Sequence, residues 1–317
     1  YWMYLWPWPL LAFTNYFRFE PLSLVQRLAI ITATVVLAAA SWRFIEQPVR
    51  CRRLLATRSS LFWCGGLAAA VGMLLGVTLH RQGGWPDRFS PDVLSAAAGA
   101  RDVNPQRSLR HNVELPDADF DLPRLGRQDD SRPPLLAVIG DSHADSMMPL
   151  LDSMCREYDV PAVGITRSAT IPLFCEASDV DAEREHFHST LRKILTQDST
   201  VRHVLLIARW RNYNSDKLNR ANVERTVSDL SSRGVKVWVF RQVPAQKVSV
   251  PRAMALAQQW NRDASTAFCS LAEYEESQAR FDAIFDSIRT RGRLVKVLDP
   301  SPVFFPDKRS CRTMSEG

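Results

Sequence analysis

The residues with the clearest chemical potential are Gly140–His143, which follow the apolar run 135–139 and precede a helix-like pattern. A serine in such a strand-to-helix turn can act as a nucleophile, with its hydroxyl at the end of a strand and backbone N–H groups beside it. The same residue types also build ordinary turns and helix N-caps. Two interpretations of Ser142 are therefore open, a nucleophile that forms an ester or a purely structural turn.

The alternation of apolar and amphipathic segments after residue 134 predicts the strands and helices that must position Ser142. Strands are expected at 135–140, 160–165, 203–208, 235–240 and 294–299, and helices at 145–157, 183–196, 217–232 and 252–290. Unbroken apolar strands between amphipathic helices indicate a parallel sheet covered on both faces, a three-layer α/β/α domain. Such sheets bind ligands at the carboxyl ends of their strands, which is where Ser142 lies.

The sequence before residue 80 is of a different kind. Three segments carry no charge, at 1–16, 28–42 and 61–79, and about 18 such residues suffice to cross a bilayer. A buried core helix is the alternative, and the length and apolarity of 61–79 argue against it. The connection 43–60 holds five arginines and one glutamate. The positive-inside rule places that connection in the cytoplasm and the chain after about residue 80 on the other side.

The usage of charged residues, proline and cysteine further limits the functions and domain boundaries that the sequence allows. The net charge of +6 is explained by the arginine-rich connection and scattered surface arginines, and without a basic stripe nucleic-acid binding is not expected. Residues 81–134 are rich in proline, as in a linker or extension. Four cysteines fall on the predicted outer side, and of three possible pairings Cys269 with Cys311 is favoured. No Cys-x-x-Cys or His-rich spacing predicts a metal site.

Two stretches resemble known families. The sequences YLWPWPLLAF at 4–13 and SWRFIEQPVR at 41–50 are similar to the final membrane segments of the type 3 membrane acyltransferases, which modify cell-envelope sugars; Pro7 replaces their usual histidine. The stretch VIGDSHADSMMPLL at 138–151 resembles the first block of SGNH hydrolase-like domains. Some bacterial acyltransferases of this type carry such a domain after one extra membrane span, and the order of segments here matches that fusion.

The resemblance implies a domain organisation and a set of site residues. Residues 1–58 would end the membrane acyltransferase domain with two transmembrane helices and a basic loop, 59–80 would be the extra span, 81–134 a linker, and 135–317 a flavodoxin-like SGNH domain. Ser142 would be the nucleophile, and its own N–H and that of Gly164 would point into the oxyanion hole. Arg209, Trp210 and Asn212 match the third block and are candidates for the wall of the site. The alternatives are a solvated surface arginine for Arg209 and a packing role for Trp210.

SGNH domains take their base from an Asp-x-x-His near the C-terminal end of the domain. None of the six histidines here has an aspartate three positions before it. His143 adjoins Ser142, a spacing that disfavours it as the base, and His186 and His188 diverge on a helix instead of forming a metal pair. We therefore expect that the chain is truncated at both ends and inactive as it stands. The alternative is a domain that has lost the dyad and only binds.

The resemblance also implies an activity. The full-length protein would be an O-acyltransferase of the bacterial inner membrane that takes an acyl group, such as acetyl from acetyl-CoA or another acyl-CoA, and passes it through a serine ester to an envelope glycan. Lipopolysaccharide O-antigen and peptidoglycan are the acceptor classes, the lipid bilayer is the other partner, and residues after about 81 would be periplasmic. No cofactor is expected to bind residues 1–317. The alternatives are a membrane-anchored carbohydrate esterase and a non-catalytic glycan-binding domain.

Overall fold

The computed structural model describes residues 2–107, 112, 122–127, 131–175, 182–196, 200–213, 218, 220–289, 294–308 and 311. Contacts divide the chain into two compact units. Unit 1 comprises Tyr1–Ala100 and Gln246–Phe268, and unit 2 comprises Arg101–Ala245 and Cys269–Gly317. Residues 246–268 therefore belong by contact to unit 1, although the chain on both sides of them belongs to unit 2.

The described helices are numbered in chain order. They are α1 Trp2–Leu5, α2 Pro7–Tyr16, α3 Leu24–Ser41, α4 Gln47–Arg50, α5 Arg58–Arg81, α6 Pro91–Ala98, α7 Ser142–Glu157, α8 Ala182–Thr196, α9 Arg220–Ser231, α10 Val250–Trp260, α11 Leu271–Arg289 and α12 Ser301–Phe304. The predicted helix at 252–290 is in fact two, α10 and α11. Asn261 ends α10 in the left-handed conformation, with φ of 46°, and asparagine adopts that conformation more readily than most residues.

Unit 2 contains a six-stranded sheet in its described part, with the strand order β1-β3-β2-β4-β5-β6. The strands are β1 Arg124–Leu125, β2 Leu136–Gly140, β3 Ala162–Thr166, β4 His203–Ile207, β5 Lys236–Phe240 and β6 Val295–Leu298. All neighbours pair in parallel except β1, which is antiparallel to β3. The mostly parallel sheet is thus confirmed. The edge strand β1 was not predicted, because two residues are too short to show a periodic pattern.

Helices cover the two faces of this sheet unequally. One buried cluster joins the sheet to α8, α9 and α11, through residues such as Leu191, Val223 and Phe285. A second, smaller cluster joins the other face to α7. On that face Trp238, on β5, and Leu298, on β6, are only partly buried. With residues of α7 they line an apolar groove of about 460 Å³.

Unit 1 contains the apolar helices. Two described segments are long and apolar enough to cross a membrane by length and composition, Leu24–Arg50 and Arg58–Arg81. A capping box of Ser23 and Gln26 begins the first, and the Thr57 hydroxyl caps the second. The predicted first span forms two shorter helices, α1 and α2, and stays a prediction.

Candidate active site

Ser142 is the first residue of α7 and directly follows the turn at the carboxyl end of β2. Its side chain is half-buried, and its backbone N–H is one of the first N–H groups of a helix, which have no intrahelical acceptor. Such groups favour negative charge, both through their own hydrogen bonds and through the helix dipole. The structure thus places a serine hydroxyl beside an N–H group that can stabilise an oxyanion.

Asp141, and not Ser142, caps the helix. Its Oδ1 accepts the N–H of His143 at 2.8 Å. Its Oδ2 accepts two bonds from the chain after β4, the N–H of Arg209 at 2.9 Å and the hydroxyl of Tyr213 at 2.8 Å. The side chain of Asp141 is therefore the bridge between the turns that follow β2 and β4. Since Asp141 does the capping, Ser142 is not needed as a cap, which weakens the purely structural interpretation.

The close packing around Gly140 explains why this turn needs a glycine. A Cβ atom added at Gly140 would lie 1.9 Å from the carbonyl oxygen of Ile207 and 2.4 Å from the Cβ of Ala144. No side chain fits in that space unless the backbone of β4 or the first turn of α7 shifts. The close approach of β2, β4 and α7 at this point fixes the place of Ser142.

The prediction for Gly164 needs correction. Gly164 lies inside β3 and pairs with Val138, and its N–H donates to the carbonyl of Pro123 at 2.8 Å. The amide is therefore committed to the edge of the sheet and does not point into an oxyanion hole. The β3 residue in register with Gly140 is Thr166. A Cβ at Gly164 would meet Met148 Sδ at 3.0 Å, so this glycine gives room to the packing of α7.

The three residues predicted from the third block have different surroundings. Arg209 is half-buried, its charge acts on His143, and its Nε is buried without a hydrogen-bond partner among the described residues. Trp210 is 1% exposed, contacts the ring of Phe281 at a tilt and that of Phe285 edge to face, and therefore packs in the core. Asn212 is exposed, and its N–H donates to the carbonyl of Arg209.

Several residues that fix this turn were not found from the sequence. Tyr213 is buried against Asp141, and the N–H of Arg211 donates to Oε1 of Gln242 at 3.2 Å. The indole N–H of Trp210 donates to the carbonyl of Phe240 at 2.8 Å. The turn after β4 is thus fastened to both neighbouring strands. These partners lie about 30 to 70 residues apart in the chain, so no local pattern could show them.

Two of the three charged groups that act on His143, the neighbour of Ser142, are positive. Burial lowers the pKa of the His143 imidazole, and the positive charges of Arg209 and Arg211 lower it further, against the opposing effect of Asp141. The folded state therefore favours the neutral ring of His143. Two guanidinium groups beside a neutral ring favour an oxyanion or another anionic group at this end of the sheet.

One turn into α7, Asp145 is fully buried. Its carboxylate accepts hydrogen bonds from Asn104 Nδ2 at 2.8 Å and from Arg107 Nη1 at 2.6 Å. These bonds satisfy a charge that would otherwise be costly to bury. They also fasten residues 104–107 of the predicted linker to the helix that carries Ser142, a role that the proline-rich composition of the linker did not suggest.

Among the residues that the structure describes, no group of three or more His, Cys, Asp or Glu side chains could hold a metal ion. Cys269 and Cys311 are both buried, and the disulfide between them stays a prediction.

A family model matches most of unit 2 and decides the identity of the fold. The model describes the SGNH domain fused to AT3 domains, and it matches residues 108–317. The chain belongs to this family. The fused SGNH domain is also similar to a solved structure, the periplasmic domain of the lipopolysaccharide acetyltransferase of Salmonella ser. Paratyphi A, with a TM-score of 0.50 and 13% identity over 72% of this chain and 86% of that one.

At that identity the solved structure supports the fold alone. No curated protein matches the chain. The predicted resemblance to an acyltransferase-fused SGNH domain is nevertheless confirmed by the family model. In this SGNH domain, Ser142 lies at the carboxyl end of β2 as predicted, the N–H of Gly164 is bonded to the carbonyl of Pro123, and Asp141 bridges the turns after β2 and β4.

Proposed function

We propose that this chain is part of an envelope O-acyltransferase in which Ser142 carries the acyl group as an ester and transfers it to a hydroxyl of an extracytoplasmic glycan. The observation that carries the proposal is that Asp141, and not Ser142, caps the helix that follows β2. Asp141 caps α7, which leaves the Ser142 hydroxyl at a helix N-terminus with cationic side chains nearby. Membership of a family in which SGNH domains are fused to AT3 domains supports acyl chemistry.

The proposed reaction has two steps. The Ser142 oxygen attacks the carbonyl carbon of the acyl donor, the leaving group departs, and a serine ester forms; a glycan hydroxyl then attacks that ester and releases the serine. In both steps negative charge develops on the carbonyl oxygen, and the N–H of Ser142 and the guanidinium of Arg209 are the groups proposed to stabilise it. A base must take each proton. The resemblance assigns this role to an Asp-x-x-His pair, which residues 1–317 do not contain.

The donor, acceptor and location are proposals that the family match and the apolar helices support. We propose acetyl-CoA or another acyl-CoA as the donor of the full-length protein, and lipopolysaccharide or peptidoglycan as the acceptor. The solved structure of similar fold is the periplasmic domain of a lipopolysaccharide acetyltransferase, and we therefore propose lipopolysaccharide as the acceptor to test first. The segments 24–50 and 58–81 would cross the bacterial inner membrane, with the SGNH domain in the periplasm.

The test is Ser142→Ala in the full-length protein, with Ser146→Ala as the matched control on the same helix. The exposed Ser146 bonds only to the Ser142 carbonyl among described residues. We expect Ser142→Ala to lower acyl transfer to the envelope glycan by about 10³-fold or more, measured by NMR of the O-acyl groups, and Ser146→Ala to leave it within about twofold of the unaltered protein.

Two other outcomes would separate the alternatives. Unchanged acylation in Ser142→Ala would contradict catalysis by this serine and favour a glycan-binding domain. Release of free acetate from an acylated glycan, with no transfer to a second glycan, would favour an esterase.

A further inference from the structure

The connection between α2 and α3 contains an aromatic residue that its own helices do not bury. Phe19 is 7% exposed, although it lies in a seven-residue connection, 17–23, between two apolar helices. Its neighbours belong to a distant part of the chain. Phe19 shares a buried apolar cluster with Ala253, Leu256, Ala264 and Ala267, which come from α10 and the turn that follows it. A loop aromatic this deeply buried is an anchor, since loops are normally exposed.

Two arginines also contact the chain around Phe19. The Arg262 guanidinium lies 4.9 Å from the ring centroid of Phe19, and its Nη1 donates to the carbonyl of Phe17 at 2.8 Å. Arg252, near the start of α10, lies 5.9 Å from the ring of Tyr16. Apolar burial, cation–π contact and a hydrogen bond therefore act together on residues 16–19.

The same helix, α10, also packs on α6, the first α-helix after α5. Ser90 caps α6, and Val93 and Ala96 on it are buried. Gly99, just after α6, lies so close to Pro251 that an added Cβ would be 3.3 Å from the Pro251 ring. The connection before α3 and the helix after α5 thus both contact α10.

We infer that residues 252–267 form a dock for the connection 17–23, with Phe19 as its anchor, and that acyl transfer by the full-length protein requires this dock. One dock can lie on one side of a membrane only. If 24–50 and 58–81 each cross once, then 17–23 and 82–100 lie on the same side, opposite the arginines of 50–58. The contact of both segments with α10 agrees with two crossings, and the positive-inside rule then places the dock outside the cytoplasm.

The inference rests on the proposed function for its effect on transfer, but not for its geometry. The chain passes from β5 into the dock and from the dock into α11. Docking of Phe19 therefore fastens an internal segment of the SGNH domain sequence, in addition to the direct connection at residues 100–101. We expect this fastening to matter when an acyl group must reach Ser142 from a donor site in the membrane section.

The first experiment tests the geometry in native membranes. In the full-length protein, Phe19→Cys with Leu256→Cys should be joined by a short thiol crosslinker, as read by mass spectrometry of the linked peptides. Phe19→Cys with Gln258→Cys is the matched control, because Gln258 is exposed and, two positions after Leu256, lies on another face of the same helix; it should link at least about fivefold less. Equal linking of both pairs, or linking of neither, would overturn the dock.

The second experiment tests the orientation. The exposed Glu20, changed to Cys, should react with a membrane-impermeant maleimide in spheroplasts, whereas the native Cys51, also exposed, should react only after the inner membrane is permeabilised. Reaction of both from the same side would overturn the inference.

The third experiment tests the requirement for transfer. Phe19→Asp places a charge in the apolar cluster and should lower transfer by about tenfold or more, while Phe19→Leu should keep most of it. Full transfer by Phe19→Asp, at normal protein levels in the membrane, would overturn the requirement. The crosslink should persist when Ser142→Ala is added, so that failure of the proposed chemistry and failure of the dock give different results.

Discussion

Two turns meet at the carboxyl edge of the sheet, and they are built in opposite ways. The turn after β2, Gly140–His143, leaves no room for a side chain at Gly140, and its Ser142 is half-buried. The turn after β4, Arg209–Tyr213, buries Trp210 and Tyr213 and holds the first turn through Asp141. The first turn presents Ser142, the proposed nucleophile, and the second turn supports the first through hydrogen bonds to Asp141. Changes in the two turns should therefore affect stability and activity differently.

The largest effect is expected at Gly140. Gly140→Ala would place a Cβ 1.9 Å from the Ile207 oxygen, and should lower the free energy of unfolding by about 4 kcal/mol or more, or prevent folding. Gly164→Ala is the matched control. There the nearest atom is the flexible side chain of Met148, so a loss of about 1–2 kcal/mol is expected. Urea denaturation measures both, and similar losses would contradict the different roles of the two glycines.

A smaller effect is expected at the bridge between the turns. Asp141→Asn puts an amide N–H₂ where an oxygen now accepts bonds, and should cost about 2–3 kcal/mol. Tyr213→Phe removes one of those bonds and should cost about 1 kcal/mol. Because both changes act on one interaction, their combined cost should be less than the sum. Additive costs in a double-mutant cycle would show that Tyr213 acts independently of Asp141.

The charges should give a pH effect at His143. Burial and the nearby arginines hold the pKa of this imidazole below its ordinary value, so the folded state favours the neutral ring. Its contribution to stability is complete above the unfolded pKa of about 6.5 and is lost as pH falls through the folded pKa. His143→Gln should reduce that loss, and Arg209→Gln should raise the pKa of His143, as read by NMR titration. An unchanged pKa in Arg209→Gln would place the Arg209 charge away from the site.

The smallest effect is expected at Asn212. Its side chain is exposed, at the end of the supporting turn, so Asn212→Ala should change stability by less than about 0.5 kcal/mol. Transfer by the full-length protein should stay within about twofold. A tenfold rise in KM for the glycan, with kcat unchanged, would instead show that Asn212 contacts the acceptor.

The sequence was sufficient to predict the parallel sheet and the place of Ser142, because apolar periodicity and a strand-to-helix turn are local signals. Gly164 was misassigned because the prediction rested on a nearby glycine and not on the register. The pairing of β2 with β3 puts Thr166 level with Gly140 and leaves Gly164 inside the strand. The role of Asp141 depends on partners 68 and 72 residues away, and that of Phe19 on partners still farther along the chain. Contacts of this kind have no signature in the spacing of neighbouring residues.

The buried position of Phe19 also has a consequence for biosynthesis. The hydrogen bond between Phe17 and Arg262 joins residues 245 positions apart, and at about 5–20 residues per second the ribosome needs roughly 12 to 50 s to make that length of chain. During that time the connection 17–23 is complete while the segment that covers it has not yet been synthesised. The anchor site is therefore filled late, after the helices on both sides of the connection have been made.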